Sequence, residues 1–183
     1  TTLIELIYGL LDFDEYFDGD MIFYFGNKKI IINKNITLEK EIIKIREKMA
    51  IVFQNMESQF FESSVYKEIE YNISKKYNFI KNSFQVSNKI KKVLEKVGLS
   101  EKYMSKSPFL LSDGEKRLVG IAMALSTEPE ILFLDEPTTS LDYEMIKKIM
   151  ELIKELKKEK MTIILVTHDL NIVNNYADNY IKL

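Results

Sequence analysis

Cysteine is absent from the 183 residues, which excludes disulfides and thiolate metal sites and fits a reducing compartment. No apolar run approaches the ~20 residues that cross a bilayer, and no stretch reads as a secretory leader. Membrane contact, where the chain makes any, is expected to be peripheral. The formal net charge is only -2, so electrostatics give no case for a nucleic-acid partner. Internal repeats are missing, as are heptads long enough for a coiled coil. Histidine occurs once, as His168. What remains is 46% apolar and 30% charged, the balance of one soluble α/β domain with room for a small appended subdomain.

Three apolar runs end abruptly in polar, chemically capable residues. Met49-Ala50-Ile51-Val52-Phe53 ends in Gln54, Ile131-Leu132-Phe133-Leu134 ends in Asp135-Glu136, and Met161-Thr162-Ile163-Ile164-Leu165-Val166 ends in Thr167-His168. Runs of this length without strict alternation read as parallel strands covered on both faces. Ligands of open parallel sheets sit beyond the carboxyl ends of the strands. An amide, two acids and an imidazole are therefore expected on one rim.

The rest of the chain is organised around these runs. Residues 2–11 read as a helix with Leu3, Leu6, Ile7, Leu10 and Leu11 on one face. Met21–Phe25, Gly26-Asn27 and residues 30–32 read as a short antiparallel ribbon. Lys-rich helices are expected at 64–76 and 86–97, the second stopped by Gly98, with a short turn at 100–104. A helix follows Pro108, and a long amphipathic one carries Met145, Ile146, Ile149, Ile153 and Leu156 as its stripe. Strand-helix-strand order implies right-handed crossovers and a parallel sheet. The expected domains are a core of residues 1–62 and 108–183 and an inserted helical subdomain at 63–107. The chain opens on Thr1-Thr2 in helical pattern and stops at Tyr180-Ile181-Lys182-Leu183 in strand pattern, so it is expected to be a fragment truncated at both ends.

Each candidate residue has a plain reading beside a chemical one. Asp135-Glu136 before Pro137 is either a charged turn or a pair with divided roles, one acid holding Mg²⁺ through water and the other deprotonating a water. His168 is either a strand-end histidine satisfied by backbone or a phosphate contact. Gln54 is a surface amide or a group reaching metal and water. Ser112 and Glu115 stand at capping-box spacing, with Gly114 in the first turn leaving amides unshielded. This is an ordinary N-cap or an anion site.

Taken in order, these residues resemble the ATP-binding subunit of ABC transporters across essentially the whole chain. Leu111-Ser112-Asp113-Gly114-Glu115 is similar to that family's signature sequence, residues 131–136 to its Walker B strand, and Ser140-Leu141-Asp142 to its D-loop. Gln54 falls at the Q-loop and His168 at the switch histidine. Thr1-Thr2 resemble the end of a Walker A motif whose glycines and lysine are cut away. Gln54-Asn55 followed by Gln59, Phe61 and Val65 resembles energy-coupling-factor and cobalt-type importers, which energise uptake of vitamins or transition-metal ions. That subfamily usually has Pro where this chain has Met56.

The resemblance implies a P-loop NTPase-like α/β fold with a mainly parallel sheet, ATP and Mg²⁺ as cofactors, and hydrolysis coupled to transport. It implies a second ATPase subunit paired head to tail, integral membrane transport subunits, no nucleic acid, and a peripheral place on the cytoplasmic face of the cell membrane. Carried over, Thr1 supplies a hydroxyl to Mg²⁺, Asp135 holds the ion mainly through water, and Gln54 links metal, water and transport partner. Thr2 belongs to the same nucleotide-binding stretch. Glu136 is the general base and His168 the γ-phosphate contact. Ser112 and Gly114, within the stretch containing Asp113 and Glu115, bind the opposite subunit's γ-phosphate, and Asp142 works across the dimer. Phe60, Phe61 and Val65 are either core or the lining of a groove for a helix of the membrane partner.

Two departures carry weight. No Gly-x-x-x-x-Gly-Lys occurs among the six glycines, and that loop supplies the amides and lysine that hold phosphates. The chain starting at Thr1 is expected to be inactive, and its parent active. Asp113 replaces the signature's usual glycine, setting a negative charge beside a polyanion unless it only complements the helix dipole. Two rival functions remain. A DNA-maintenance ATPase would carry a coiled coil or zinc cysteines in place of about fifty residues of short helices; a regulatory module would pair without hydrolysing.

Overall fold

The β-branched and aromatic run Met21–Phe25 forms a strand, β1, whose exposure alternates along the pleat and which pairs antiparallel with β2 (Lys28–Ile32) in the register Met21↔Ile32 to Phe25↔Lys28. Phe23 and Phe25 share a face and their rings stack with centroids 6.3 Å apart. The Lys48 ammonium lies 4.5 Å from the Phe25 ring centroid, within cation–π range. The computed structural model describes residues 5–7, 19–25, 28–32, 39–76 and 83–182. It divides into two compact units, Thr1–Met49 and Ala50–Leu183. In the first, residues 5–7 are helical with Leu6 buried; the rest of the helix expected at 2–11 lies outside the described residues. The unit also holds α1 (Glu39–Arg46), which hydrophobic periodicity did not announce.

The second unit begins within β3 (Met49–Val52) and contains β4 (Ile131–Asp135) and β5 (Thr162–Val166), in the sheet order β3-β4-β5. β4 and β5 are parallel, Ile131 opposite Thr162 through Asp135 opposite Val166. Central β4 matches its sequence, with Leu132, Phe133, Leu134 and Asp135 all buried. β5 differs. It was expected to be covered on both faces, yet Thr162 and Ile164 are exposed. The reason is position, because β5 forms an edge of the described sheet.

Helices α2 (Val65–Lys76) and α3 (Ser83–Lys96) stand close to their expected places. Gly98, with φ of +74°, ends α3 in a Schellman arrangement. The Leu99 N–H donates to the Leu94 carbonyl and the Gly98 N–H to that of Glu95, both at 2.9 Å. α4 (Asp113–Leu125) is buried along most of its length, and α5 (Tyr143–Lys158) buries Ile149, Met150, Leu152, Ile153 and Leu156. One core joins Ala50 and Val52 of β3 to the apolar faces of α2 through α5 and to Leu132 and Leu134 of β4.

A short helix, α6 (Leu170–Tyr176), follows β5 and was not foreseen. The strand expected at residues 180–183 is absent among the described residues, and Leu183 lies outside them. Residues 180–182 are irregular and exposed, Ile181 at 87%, because a strand needs a neighbour to bond and no described strand lies beside them. Among the described residues, no helix is long and apolar enough to cross a membrane.

Candidate functional site

The parallel register of β4 and β5 brings their carboxyl ends side by side, and the chemistry gathers there. The Glu136 N–H donates to the Val166 carbonyl at 2.9 Å, carrying the ladder one residue past β4. Glu136 then adopts a φ of 47°, a left-handed conformation uncommon outside glycine. Its Oε1 accepts the His168 backbone N–H at 3.0 Å and lies 2.8 Å from His168 Nδ1. Its Oε2 accepts the Thr139 hydroxyl at 3.0 Å. An ionised carboxylate only accepts, so Nδ1 carries the proton and Nε2 is not engaged by Glu136, on a side chain that is 80% exposed. A carboxylate has about four lone-pair positions. Three are filled here, which leaves one on Oε2 for a further donor such as water.

The hydrogen bond to Glu136 and that group's negative charge hold the His168 pKa above its ordinary 6.5, Asp169 adding a smaller push in the same direction. A raised folded value means the contact is fully favourable below pH 6.5 and is lost as pH climbs through the higher folded value. In metal-free protein, NMR titration should show His168 titrating above 6.5 and the Glu136→Gln variant returning it toward 6.5. An unmoved midpoint in that variant would contradict the pairing.

Ser112 caps α4 as its spacing predicts. Its hydroxyl oxygen accepts the Glu115 N–H, while Glu115 Oε2 accepts the Ser112 N–H at 2.9 Å and its hydroxyl at 3.0 Å. The Tyr103 hydroxyl donates to the other Glu115 oxygen. That bond, followed by the one from the Ser112 N–H, holds the Glu115 carboxyl below its usual range. Asp113 is exposed, 3.7 Å from the Lys116 ammonium. Gly114 differs from the expectation of bare amides. It is buried, and a Cβ there would come within 2.7 Å of Met145 Cε and Cγ, so its missing side chain makes room for α5. Asp142 caps α5, accepting the Met145 N–H at 2.8 Å.

Gln54 is exposed two residues past β3, the strand beside β4. Its carbonyl accepts Arg117 Nη2 at 2.8 Å and that of Phe53 accepts Nη1 at 2.7 Å. Burial lowers the Arg117 pKa, opposed by the negative charges of Asp135 and Asp113. Met56 is buried over Gly120, where a Cβ would stand 2.0 Å from its methyl; this accommodates methionine at the position that resembling importers fill with proline. Phe60 and Val65 are core, whereas Phe61 is 59% exposed with its ring edge-to-face on Tyr71. Thr1 and Thr2 lie outside the described residues. Sequence patterns did not single out Thr139, Arg117 or the buried Glu68, whose partners are set by the fold.

No three acidic, histidine or cysteine side chains cluster as a metal cage among the described residues. Mg²⁺ needs none, since one or two carboxylates complete a shell otherwise made of waters and phosphate oxygens. Buried Asp135 at the strand end fits that donor set.

Residues 12–174 match the family described as "AAA domain, putative AbiEii toxin, Type IV TA system". The chain belongs to this AAA domain family. Individual proteins narrow the likeness. The chain is 46% identical over 148 residues to the energy-coupling factor transporter ATP-binding protein EcfA2 of Enterococcus faecalis, covering 80% of this chain and 50% of that protein. It is 37% identical over 172 residues to EcfA2 of Lactobacillus gasseri, covering 92% and 58%. The chain thus spans about half the length of the curated relatives it matches. Among solved structures, cbiO1 from Clostridium perfringens, part of the ABC transporter complex cbiONQ, superposes with a TM-score of 0.75 at 32% identity over 97% of this chain and 65% of that one. The dimeric ATP-binding cassette MJ0796 bound to ADP and Pi gives 0.76 at 29% over 93% and 70%. The AAA domain described here therefore has the α/β fold of ABC P-loop ATPases, with the parallel pairing its sequence implied.

Proposed function

We propose that the intact protein binds and hydrolyses ATP to energise a membrane importer, its cargo a vitamin or a transition-metal ion. The observation that supports this reading is the direct contact of Glu136 with His168 at adjacent strand ends, the pair a γ-phosphate-splitting site requires. Relatives named as transporter ATP-binding proteins support it from outside.

Glu136, with one oxygen position open, orients an attacking water and takes its proton. His168 presents Nε2 to the γ-phosphate while its Nδ1–H remains on Glu136, so phosphate contact and base alignment are linked. Thr1 and Asp135 would hold Mg²⁺, which when bound neutralises phosphate charge. Thr2 belongs to the same nucleotide-binding stretch. Gln54 would link metal, water and the transport partner. Ser112 and Gly114, flanked by Asp113 and Glu115, meet the nucleotide of a second, related subunit, and Asp142 works across that pair. Residues 63–107 form the helical subdomain of this reading, with the signature helix from residue 111. Exposed Phe61 on Tyr71 offers an aromatic contact to a helix of the membrane subunits. The protein would lie peripherally on the cytoplasmic face of the membrane.

The test is ATP hydrolysis by the intact protein with and without Mg²⁺. Hydrolysis that depends on the ion is expected, and none at all with its partner subunits present would overturn the reading. Asp113→Gly should raise the rate several-fold by removing a carboxylate from beside a polyanion. An unchanged rate would mean that Asp113 points away and serves only the helix.

A further inference from the structure

Residues 53–62, between β3 and α2, are gripped at both ends by charged side chains from helices that lie later in the sequence. At the start, the Arg117 fork donates to the carbonyls of Phe53 and Gln54 at 2.7 and 2.8 Å, and the Lys116 ammonium pairs with Glu57. At the far end, Glu68 Oε1 accepts the N–H groups of Phe61 and Glu62, both at 2.7 Å. Within the segment, Met56 is buried, and its carbonyl accepts the Gln59 N–H at 3.0 Å.

Arg117, Lys116 and Glu68 are three of the six buried polar or charged residues among those described, and all three serve this one segment. Stability alone does not account for them. Arg117 Nε and Glu68 Oε2 are buried with no hydrogen-bond partner, and buried charges with unmet atoms are generally costlier than apolar groups of the same size. Their effect is geometric. The start of the segment must follow α4 and its end must follow α2. Gln54 stands exposed at the first grip and Phe61 beside the second.

We propose that Arg117 and Glu68 are positioning residues that make residues 53–62 a stiff strap, so that a displacement of α4 moves Gln54 and Phe61 together. What the two ends touch rests on the function proposed above; the strap itself does not.

The test compares intact wild-type protein with Arg117→Lys, which keeps the charge but loses the two-pronged geometry, and with Glu68→Gln. Hydrogen exchange without nucleotide should quicken about ten- to a hundredfold at residues 54–57 in Arg117→Lys. It should quicken also at Phe61 and Glu62, whose own acceptor is untouched, while the melting temperature falls by only a few degrees. Glu68→Gln should produce the reciprocal loosening at 54–57. Faster exchange confined to the end nearest the substitution overturns the strap, as does global loosening that tracks the melting temperature. In turnover, Arg117→Lys combined with Gln54→Ala should be no slower than Gln54→Ala alone, whereas additive losses count against positioning. Wild-type protein that hydrolyses no ATP but shows coupled exchange would refute the proposed function and leave the strap standing.

Discussion

Glu136→Gln in the intact protein should lower ATP turnover by about 10²–10⁴-fold, the usual contribution of a positioned general base. The substitution changes little else. A glutamine oxygen still accepts the His168 N–H and Nδ1–H, and the side-chain amide can donate to the Thr139 hydroxyl in place of accepting from it. The loop therefore keeps its shape while the site loses the group that takes the water's proton. Nucleotide affinity should be retained, and ATP-bound pairs should accumulate, visible as a nucleotide-dependent shift in gel filtration. Turnover within about threefold of wild type would remove Glu136 from the base role, and an oligomeric state indifferent to ATP would favour a regulatory subunit that does not hydrolyse.

Leu134→Ala should cost about 2–5 kcal/mol, the range for emptying a closed leucine site. Leu134 is fully buried in the one core of the second unit, on the strand with neighbours on both sides. A domain's whole stability is about 5–15 kcal/mol, so the variant should sit close to its unfolding threshold. Urea denaturation would show a lower midpoint at unchanged slope. Because the next two residues are Asp135 and Glu136, the loss should also loosen the site, with faster exchange of the Glu136 and His168 amides. A shift below about 1 kcal/mol would mean that the site collapses around the cavity.

The strand ends were legible because an apolar run stopping at an acid or an imidazole is a local pattern, and parallel pairing gathers such ends. The capping box at Ser112 and the helix stop at Gly98 were legible for the same reason, since each is written within a few residues. Arg117, Glu68 and Thr139 were not. Arg117 meets its acceptors across 63 and 64 positions of sequence, and no periodicity encodes a contact of that span. Two helices also escaped notice. α1 mixes isoleucines with lysine and glutamate, and α6 contains three asparagines, poor helix formers, although its Asp169 cap was a readable signal. The open face of β5 and the irregular 180–182 share one cause. Apolar residues read alike whether or not a neighbour arrives to cover them.

The left-handed backbone at Glu136 also bears on which residues can occupy that position over generations of change. Branched residues such as valine, isoleucine and threonine are the least suited to that conformation, and glycine would relieve the roughly 1–2 kcal/mol that a side chain adds there. A population selected for heat endurance alone would drift toward glycine at 136 and lose its chemistry on the way. An acid persisting there would be the mark of selection for work rather than for endurance.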